Sequence, residues 1–180
     1  MNYSFREFAC KRFGIIDKFL IDIIQCTMND QISSFDQFLD CNLNMATMSK
    51  TSLINIQFKD CKMLGISFEH CNPFGLSVSF DNCILTHSSF YKLRLAKTVF
   101  KNSNLQHLDF SECDLSNAVF DNCDLTDAVF DGTTLMKTDF RTSFGYFFDP
   151  EKNKVRRAKF ALSGLPGLLG KYDLDIDVNS

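Results

Sequence analysis

From Phe80 onward a large apolar residue recurs at every fifth position: Phe80, Leu85, Phe90, Leu95, Phe100, Leu105, Phe110, Leu115, Phe120, Leu125, Phe130, Leu135 and Phe140. Phenylalanine and leucine alternate along this series without exception. Upstream, the same interval links Phe38, Leu43, Met48, Leu53, Phe58, Met63 and Phe68, and the two series are offset by two residues between Phe68 and Phe80. Two positions before each large residue stands a smaller one (Cys83, Ser88, Thr98, Ser103, Cys113, Ala118, Cys123, Ala128, Thr133, Thr138), with Leu93 and Leu108 as exceptions. The residue directly before is often Asn or Asp, as at Asn104, Asp109, Asp114, Asp124 and Asp139. A period of five fits neither the 3.6 of an α-helix nor the 2 of an extended strand. It marks a repeat array in which one structural unit is used many times.

The pattern A(D/N)LXX, clearest in CDLSNAVFDNCDLTDAVFDG at 113–132, resembles the pentapeptide-repeat family over roughly 38–140. That resemblance implies an all-β fold, a right-handed quadrilateral β-helix with four units per turn and residues twenty apart stacked. Allowing for the two-residue offset, the first face then holds Phe38, Phe58, Phe80, Phe100, Phe120 and Phe140. The second holds Leu43, Met63, Leu85, Leu105 and Leu125, and the third Met48, Phe68, Phe90, Phe110 and Phe130. The fourth holds Leu53, Gly75, Leu95, Leu115 and Leu135. Columns of like residues emerge, as stacking in register requires, at the interstrand spacing of about 4.8 Å.

The expected organisation is an N-terminal cap or irregular first coil over 1–30, the solenoid over 31–145, and a C-terminal cap or dimerisation module over 146–180. Ile16, Phe19, Leu20, Ile23 and Ile24 fall at helical spacing, whereas Ile23 and Met28 also keep the five-residue interval, so both forms of the first segment stay open. The repeat stops after Phe140. Beyond it, Asp149-Pro150 and Asn153 read as a turn, and the cations Lys152, Lys154, Arg156, Arg157 and Lys159 as its solvated surroundings. ALSGLPGLLGKYDLDIDV then predicts a small helix with Ser163 as N-cap and a strand-like tail. Its apolar residues Leu165, Leu168, Leu169, Tyr172, Leu174 and Ile176 either plug the last coil or meet a second subunit.

Composition agrees with a tube filled by one residue type, since the 180 residues include 20 Phe and no Trp. A net charge of −3 argues against wholesale attraction to nucleic acid. The N-terminus carries scattered charges and no apolar run of signal-peptide kind, so a soluble, cytoplasmic protein is expected. The eight cysteines include no C-x-x-C pair and are read as free thiols, Cys41, Cys61, Cys83 and Cys123 falling in one inward column. His87 and His107 stack outward without a third ligand. No phosphate loop, nucleophile elbow or carboxylate cleft can be drawn, so neither catalytic, cofactor nor metal residues are expected.

Between Asn102 and Met136 stand Asp109, Glu112, Asp114, Asp121, Asp124, Asp127 and Asp131, with no Lys or Arg. This belt is at least as dense in charge as duplex DNA, which carries one per ~1.7 Å. The preceding coil is basic, and adding twenty lands Lys92 on Glu112, Arg94 on Asp114 and Lys101 on Asp121, which predicts cross-coil ion pairs. Asp109, Asp124, Asp127 and Asp131 remain as the freer acids and as candidates for partner binding, together with Asn72, Pro73 and Phe74 at the break.

The segment MLGISFEHCNPFG (63–75) and the C-terminal module are similar to those of the quinolone-resistance (Qnr-type) members of the family. That likeness implies a two-fold homodimer, a rod resembling B-DNA in shape and charge, and binding to DNA gyrase or topoisomerase IV that protects them from quinolones. A protein-interaction or structural scaffold with an unrelated partner is the other expected role.

Overall fold

The computed structural model describes residues 27–28 and 36–177. The chain winds as a right-handed, four-sided β-solenoid closed by a short helical module. Strands β2 (Asp36–Leu39), β3 (Ile56–Lys59), β4 (Val78–Asp81), β5 (Val99–Lys101) and β6 (Val119–Asp121) pair in parallel along the first face. Their register places Phe38 on Phe58, Phe58 on Phe80, Phe80 on Phe100, and Phe100 on Phe120. The other faces are tied by single parallel bridges, such as Asn104↔Asp124, Asp109↔Val129 and Asp114↔Thr134.

The first-face rings stack along the axis, Phe80 on Phe100 at 5.2 Å and Phe100 on Phe120 at 4.9 Å, within 6° of coplanar. Third-face rings meet them edge-on, Phe110 lying 5.7 Å from Phe120 at 81°. Each geometry suits the quadrupole of the ring, and each pair adds about 0.5–1.5 kcal/mol beyond its buried area.

A chain that turns a corner every five residues needs a backbone conformation outside the strand region. At most corners it is supplied by one left-handed residue, among them Lys97 (φ 68), His107 (φ 55), Glu112 (φ 56), Asn117 (φ 60) and Asp127 (φ 57). At Lys97 the N–H of Thr98 donates to the Leu95 carbonyl at 3.1 Å, a type II turn with positive φ at its third residue. Left-handed conformations cost non-glycine residues about 1–2 kcal/mol, least for Asn and Asp. After the first face that position holds Asp60, Asn82, Asn102 and Asn122, whose side chains also bond along the axis, Asn82 to Asp60 at 2.7 Å and Asn122 to Asn102 at 2.9 Å.

The small inward residues have a task besides filling space. Ser88, Thr133, Thr138 and Ser143 donate hydroxyl hydrogen bonds to the carbonyls of Met63, Phe110, Leu115 and Phe120 on the preceding coil, at 2.8–2.9 Å. The Cys113 thiol donates to the Phe90 carbonyl in the same way, and the Asn153 amide to Phe130. The carbonyls of Phe90, Phe110 and Leu115, which already accept a corner N–H, thus gain a second donor from the next coil, and each of these inward polar groups is itself satisfied.

Several expectations need correction. The parallel register continues beyond 145, through Thr134↔Lys154 and Asp139↔Lys159, and the Phe140 and Phe160 rings stack at 5.3 Å. The turn signals at 149–153 only shape a corner of that coil. The two extra residues lie after Asn72, because Ser52↔Asn72 keeps a spacing of twenty and Ile56↔Val78 has twenty-two. Gly75 is not an inward residue: it is exposed with φ +71, and Leu76 packs against the core in its place. Ser163 does not cap the helix, which is the single turn α1 (Pro166–Leu169), entered from the 3₁₀ turn Leu162–Gly164 without a side-chain cap. Pro166 occupies the start of α1, where a missing N–H is harmless. Strand β1 (Thr27–Met28) runs antiparallel to β2, so it covers the first edge instead of continuing the stack. The rest of the expected N-terminal segment lies outside the described residues.

The far end of the tube is plugged from within. At Gly145 (φ +76) an added Cβ would strike Thr126, and the slot that the leucine column would fill passes to the next residue. Tyr146 and Phe148 are buried there against Phe140 and Phe160. The helical module lies over this plug through Gly164, Gly167 and Gly170, where any side chain would collide with Tyr146 or Phe147. The Phe148 N–H donates to the Gly167 carbonyl at 3.1 Å.

Phe100 has ring partners above, below and across and is fully buried, so Phe100→Ala should destabilise by about 3–5 kcal/mol in chemical denaturation. A loss below about 1 kcal/mol would contradict the central role of the ring stack.

Candidate interaction surface

With the tube filled by its own side chains, the outward positions of the four faces and the two ends carry the surface chemistry. Their spacing is set by the coils. A surface groove of about 520 Å³ runs along the first face, lined by Gln57, Ser79, Asp81, Lys97, Val99 and Lys101 among others. Among the described residues no cluster of three or more His, Cys, Asp or Glu is arranged to hold a metal ion.

The acidic belt is less free than its sequence suggests. Lys92 and Arg94 do pair across coils with Glu112 and Asp114, each at 3.6 Å, and the Tyr91 hydroxyl donates to Glu112 at 2.9 Å. The expected pairing of Lys101 with Asp121 is absent among the described ion pairs, although their Cα atoms are partners in register. Asp121 instead accepts from the Thr142 hydroxyl at 3.0 Å, a shorter donor that lies closer to the corner. Arg141 likewise turns to Asp139 in its own coil, at 2.8 Å, and Lys159 reaches the same carboxylate at 3.5 Å.

Of the four acids expected to be free, Asp127 faces His107 at 3.7 Å, and His107 stacks on His87 at 4.6 Å and 5°. Asp124 accepts from the Thr126 N–H, the Thr126 hydroxyl and the Gln106 amide. Partial burial opposes ionisation of Asp124, but these three donors together hold its pKa below the usual carboxylate value. Asp109 accepts the N–H of Ser111 at 2.8 Å. Asp131 is exposed and forms no side-chain hydrogen bond or ion pair among the described residues. The belt therefore presents Asp109, Asp124 and Asp131 without a cation, on the second and third faces.

The break at Asn72, Pro73 and Phe74 is a compact bulge. The Asn72 side chain donates to Ser52 at 3.0 Å and accepts the Phe74 N–H at 3.1 Å, and the Ser77 N–H rejoins the ladder at Leu53. This geometry leaves the Phe74 ring 83% exposed, beside a half-exposed Ile54. At the other end Leu168 packs against the plug, whereas Leu165, Leu169, Tyr172, Leu174 and Ile176 all remain exposed, as does Leu162. The module is anchored by Lys171, which bridges Asp149 at 2.9 Å and Glu151 at 2.7 Å.

The thiol expectation holds for Cys61, Cys71, Cys83, Cys113 and Cys123, which are free and buried. Cys41 differs in being disulfide-bonded, so the inward column is not uniformly reduced. Burial pushes the Cys113 thiol up to about 12 and the Cys123 thiol up to about 11. Cys83 is raised first by its hydrogen bond to Cys61 and then by burial. Cys83, Cys113 and Cys123 are thus held as neutral, structural thiols.

A filled, four-sided coil with a five-residue period and outward charge columns defines a class, the pentapeptide-repeat solenoids. The family described as "Pentapeptide repeat region" matches residues 76–144, the central stretch of this solenoid. No curated protein matches the chain. Among solved structures it is similar to a trypsin-treated QnrB1, a plasmid-mediated fluoroquinolone resistance protein, at 18% identity and a TM-score of 0.48, covering 76% of this chain and 66% of that one. Full-length QnrB1 gives 18% identity, a TM-score of 0.46, and coverage of 76% and 68%. The chain thus spans about two thirds of the length of QnrB1. A pentapeptide repeat protein from the Arabidopsis thaliana thylakoid lumen gives 17% identity, a TM-score of 0.27, and coverage of 57% and 63%. Among the described residues no helix is long and apolar enough to cross a membrane.

The Asp139 cluster gives this surface a pH dependence. Its hydrogen bond from Arg141, with Lys159 nearby, holds the carboxyl down at about 2. A folded-state value below the unfolded one means stability present above about pH 4 and lost as pH falls toward 2. Arg141→Ala should lower the denaturant midpoint at pH 5 and make little difference at pH 2. An equal difference at both values would show that Arg141 does not act through the carboxylate.

Proposed function

We propose that this chain is a non-catalytic interaction protein that works as a homodimeric DNA mimic, binding DNA gyrase or topoisomerase IV and protecting it. The observation that carries the reading is the row of outward acids Asp109, Asp124 and Asp131 on a rigid filled rod. None of them is neutralised by a cation; Asp109 stands on the third face of one coil, and Asp124 and Asp131 on the second and third faces of the next. Anions held in fixed positions on a stiff support are what a DNA-binding surface recognises. The resemblance of the 63–75 segment and the C-terminal module to Qnr-type members points to the same enzymes.

Dimerisation is the second part of the proposal. Leu162, Leu165, Leu169 and Tyr172 recur at helical spacing, and all four are exposed on the module. A second copy packed on this stripe would cover it and double the rod. Light scattering should give twice the 20.6 kDa chain mass, and Leu165→Asp with Leu169→Asp should return it to one chain. A wild-type protein that scatters as a single chain at tens of micromolar removes the dimer.

For the enzyme, purified protein at micromolar concentration should relieve ciprofloxacin inhibition of gyrase supercoiling. Asp127→Lys with Asp131→Lys should weaken that relief by about tenfold or more. These positions are exposed corner and face sites, so folding is expected to persist. No relief by the wild-type protein would sink the mimic.

The exposed Phe74 favours a second reading, a scaffold that seats a different protein at the bulge. An aromatic ring left 83% open is the usual anchor of a protein interface. Capture of a defined partner that is lost in Phe74→Ala, with gyrase unaffected, would decide for it.

A further inference from the structure

Along most charged columns of the solenoid, stacked neighbours alternate in sign or one is met by another group. Lys92 meets Glu112, Arg94 meets Asp114, and His107 meets Asp127. Where acids stack, relief is local: Asp60 accepts from Asn82, and Glu151, one coil beyond Asp131, is held by Lys171. The last coils of the fourth face break this rule. Lys137 and Arg157 stack at successive corners, both left-handed with φ 58 and φ 60, and the Lys137 N–H is tied to the Arg156 carbonyl at 3.1 Å. Lys154 lies beside them, bridged to Thr134, and Arg156 occupies the next outward position. All four are exposed, and none forms an ion pair or side-chain hydrogen bond among the described residues. Asp114, the acid on this face, is already taken by Arg94.

Like charges placed directly opposite on paired strands destabilise each other. The backbone ladder fixes these side chains at coil spacing, so the repulsion is built into the folded state, and a polyanion would relieve it. We infer that this basic end of the fourth face binds the phosphate backbone of duplex nucleic acid. Two neighbouring guanidinium groups match phosphate oxygens in a bidentate fashion. Protein partners need apolar or aromatic anchors, whereas this patch offers only a half-exposed Met136 among its cations. Phosphate contacts need no such anchor. The net charge of −3 argues against attraction over the whole molecule, and the proposal confines it to one face. It does not rest on the acidic belt or on the dimer.

The test is fluorescence anisotropy of a labelled 20-base-pair duplex titrated with the full chain at 50, 100 and 200 mM salt. Four phosphate contacts predict a log–log salt slope near −3.6, hence about a hundredfold loss of affinity from 50 to 200 mM. Lys137→Gln with Arg157→Gln should weaken binding at least tenfold at 50 mM and reduce the slope by about 2, with an unchanged far-UV spectrum and melting midpoint. Asp127→Lys with Asp131→Lys, on other faces, should retain the wild-type slope or steepen it. No binding at 50 mM overturns the inference, as does binding indifferent to the Lys137 and Arg157 substitutions. Binding of poly-glutamate with no response to the duplex also overturns it, in favour of an acidic peptide.

Discussion

The parallel backbone ladder that sets each residue over the one a full coil earlier governs everything else in this molecule. Once Phe80, Phe100 and Phe120 are partners in register, their rings must stack, and the third-face rings must meet them edge-on. The corners must then turn within two residues, which forces one left-handed residue at most of them and rewards Asn and Asp there. Inward hydroxyls and thiols close the remaining gaps by donating to carbonyls of the preceding coil. Each contact joins only adjacent coils, so stability accumulates coil by coil.

The same constraint moves recognition chemistry to the outside and to the ends. Side chains projecting from adjacent coils are held at a fixed interval on a stiff support, so charge patterns become geometric patterns. Faces two and three carry acids without cations, and face four ends in cations without acids. The molecule is thus electrically divided across its width, a property hidden by a net charge of −3. Apolar groups left open are concentrated at two places where the regular coil is interrupted, the bulge with Phe74 and the terminal module with Leu162, Leu165, Leu169 and Tyr172.

The fold was legible because the period is local: the five-residue interval and the alternation of Phe and Leu place nearly every core residue correctly. The interval loses its meaning where the regular coil is interrupted. Counting alone places Gly75 inward, whereas the chain uses Pro73 and Gly75 to form a bulge and seats Leu76 instead. Charge pairing was legible where one partner was available, as for Lys92 and Arg94. It failed at Lys101, because Asp121 had the nearer Thr142 hydroxyl, and at Asp127, because His107 stood directly before it in the column.

The sequence by itself determined the class of fold, the columns of the core and the outward direction of the charges, since each follows from spacing along one chain. Only the tertiary structure decided which acids stay without a cation, that Tyr146 and Phe148 rather than the leucines of the module plug the tube, and that cations read as a turn form part of a flat face. Those outcomes depend on competition among neighbours brought together by coiling, and no interval along the chain records which neighbour is nearer.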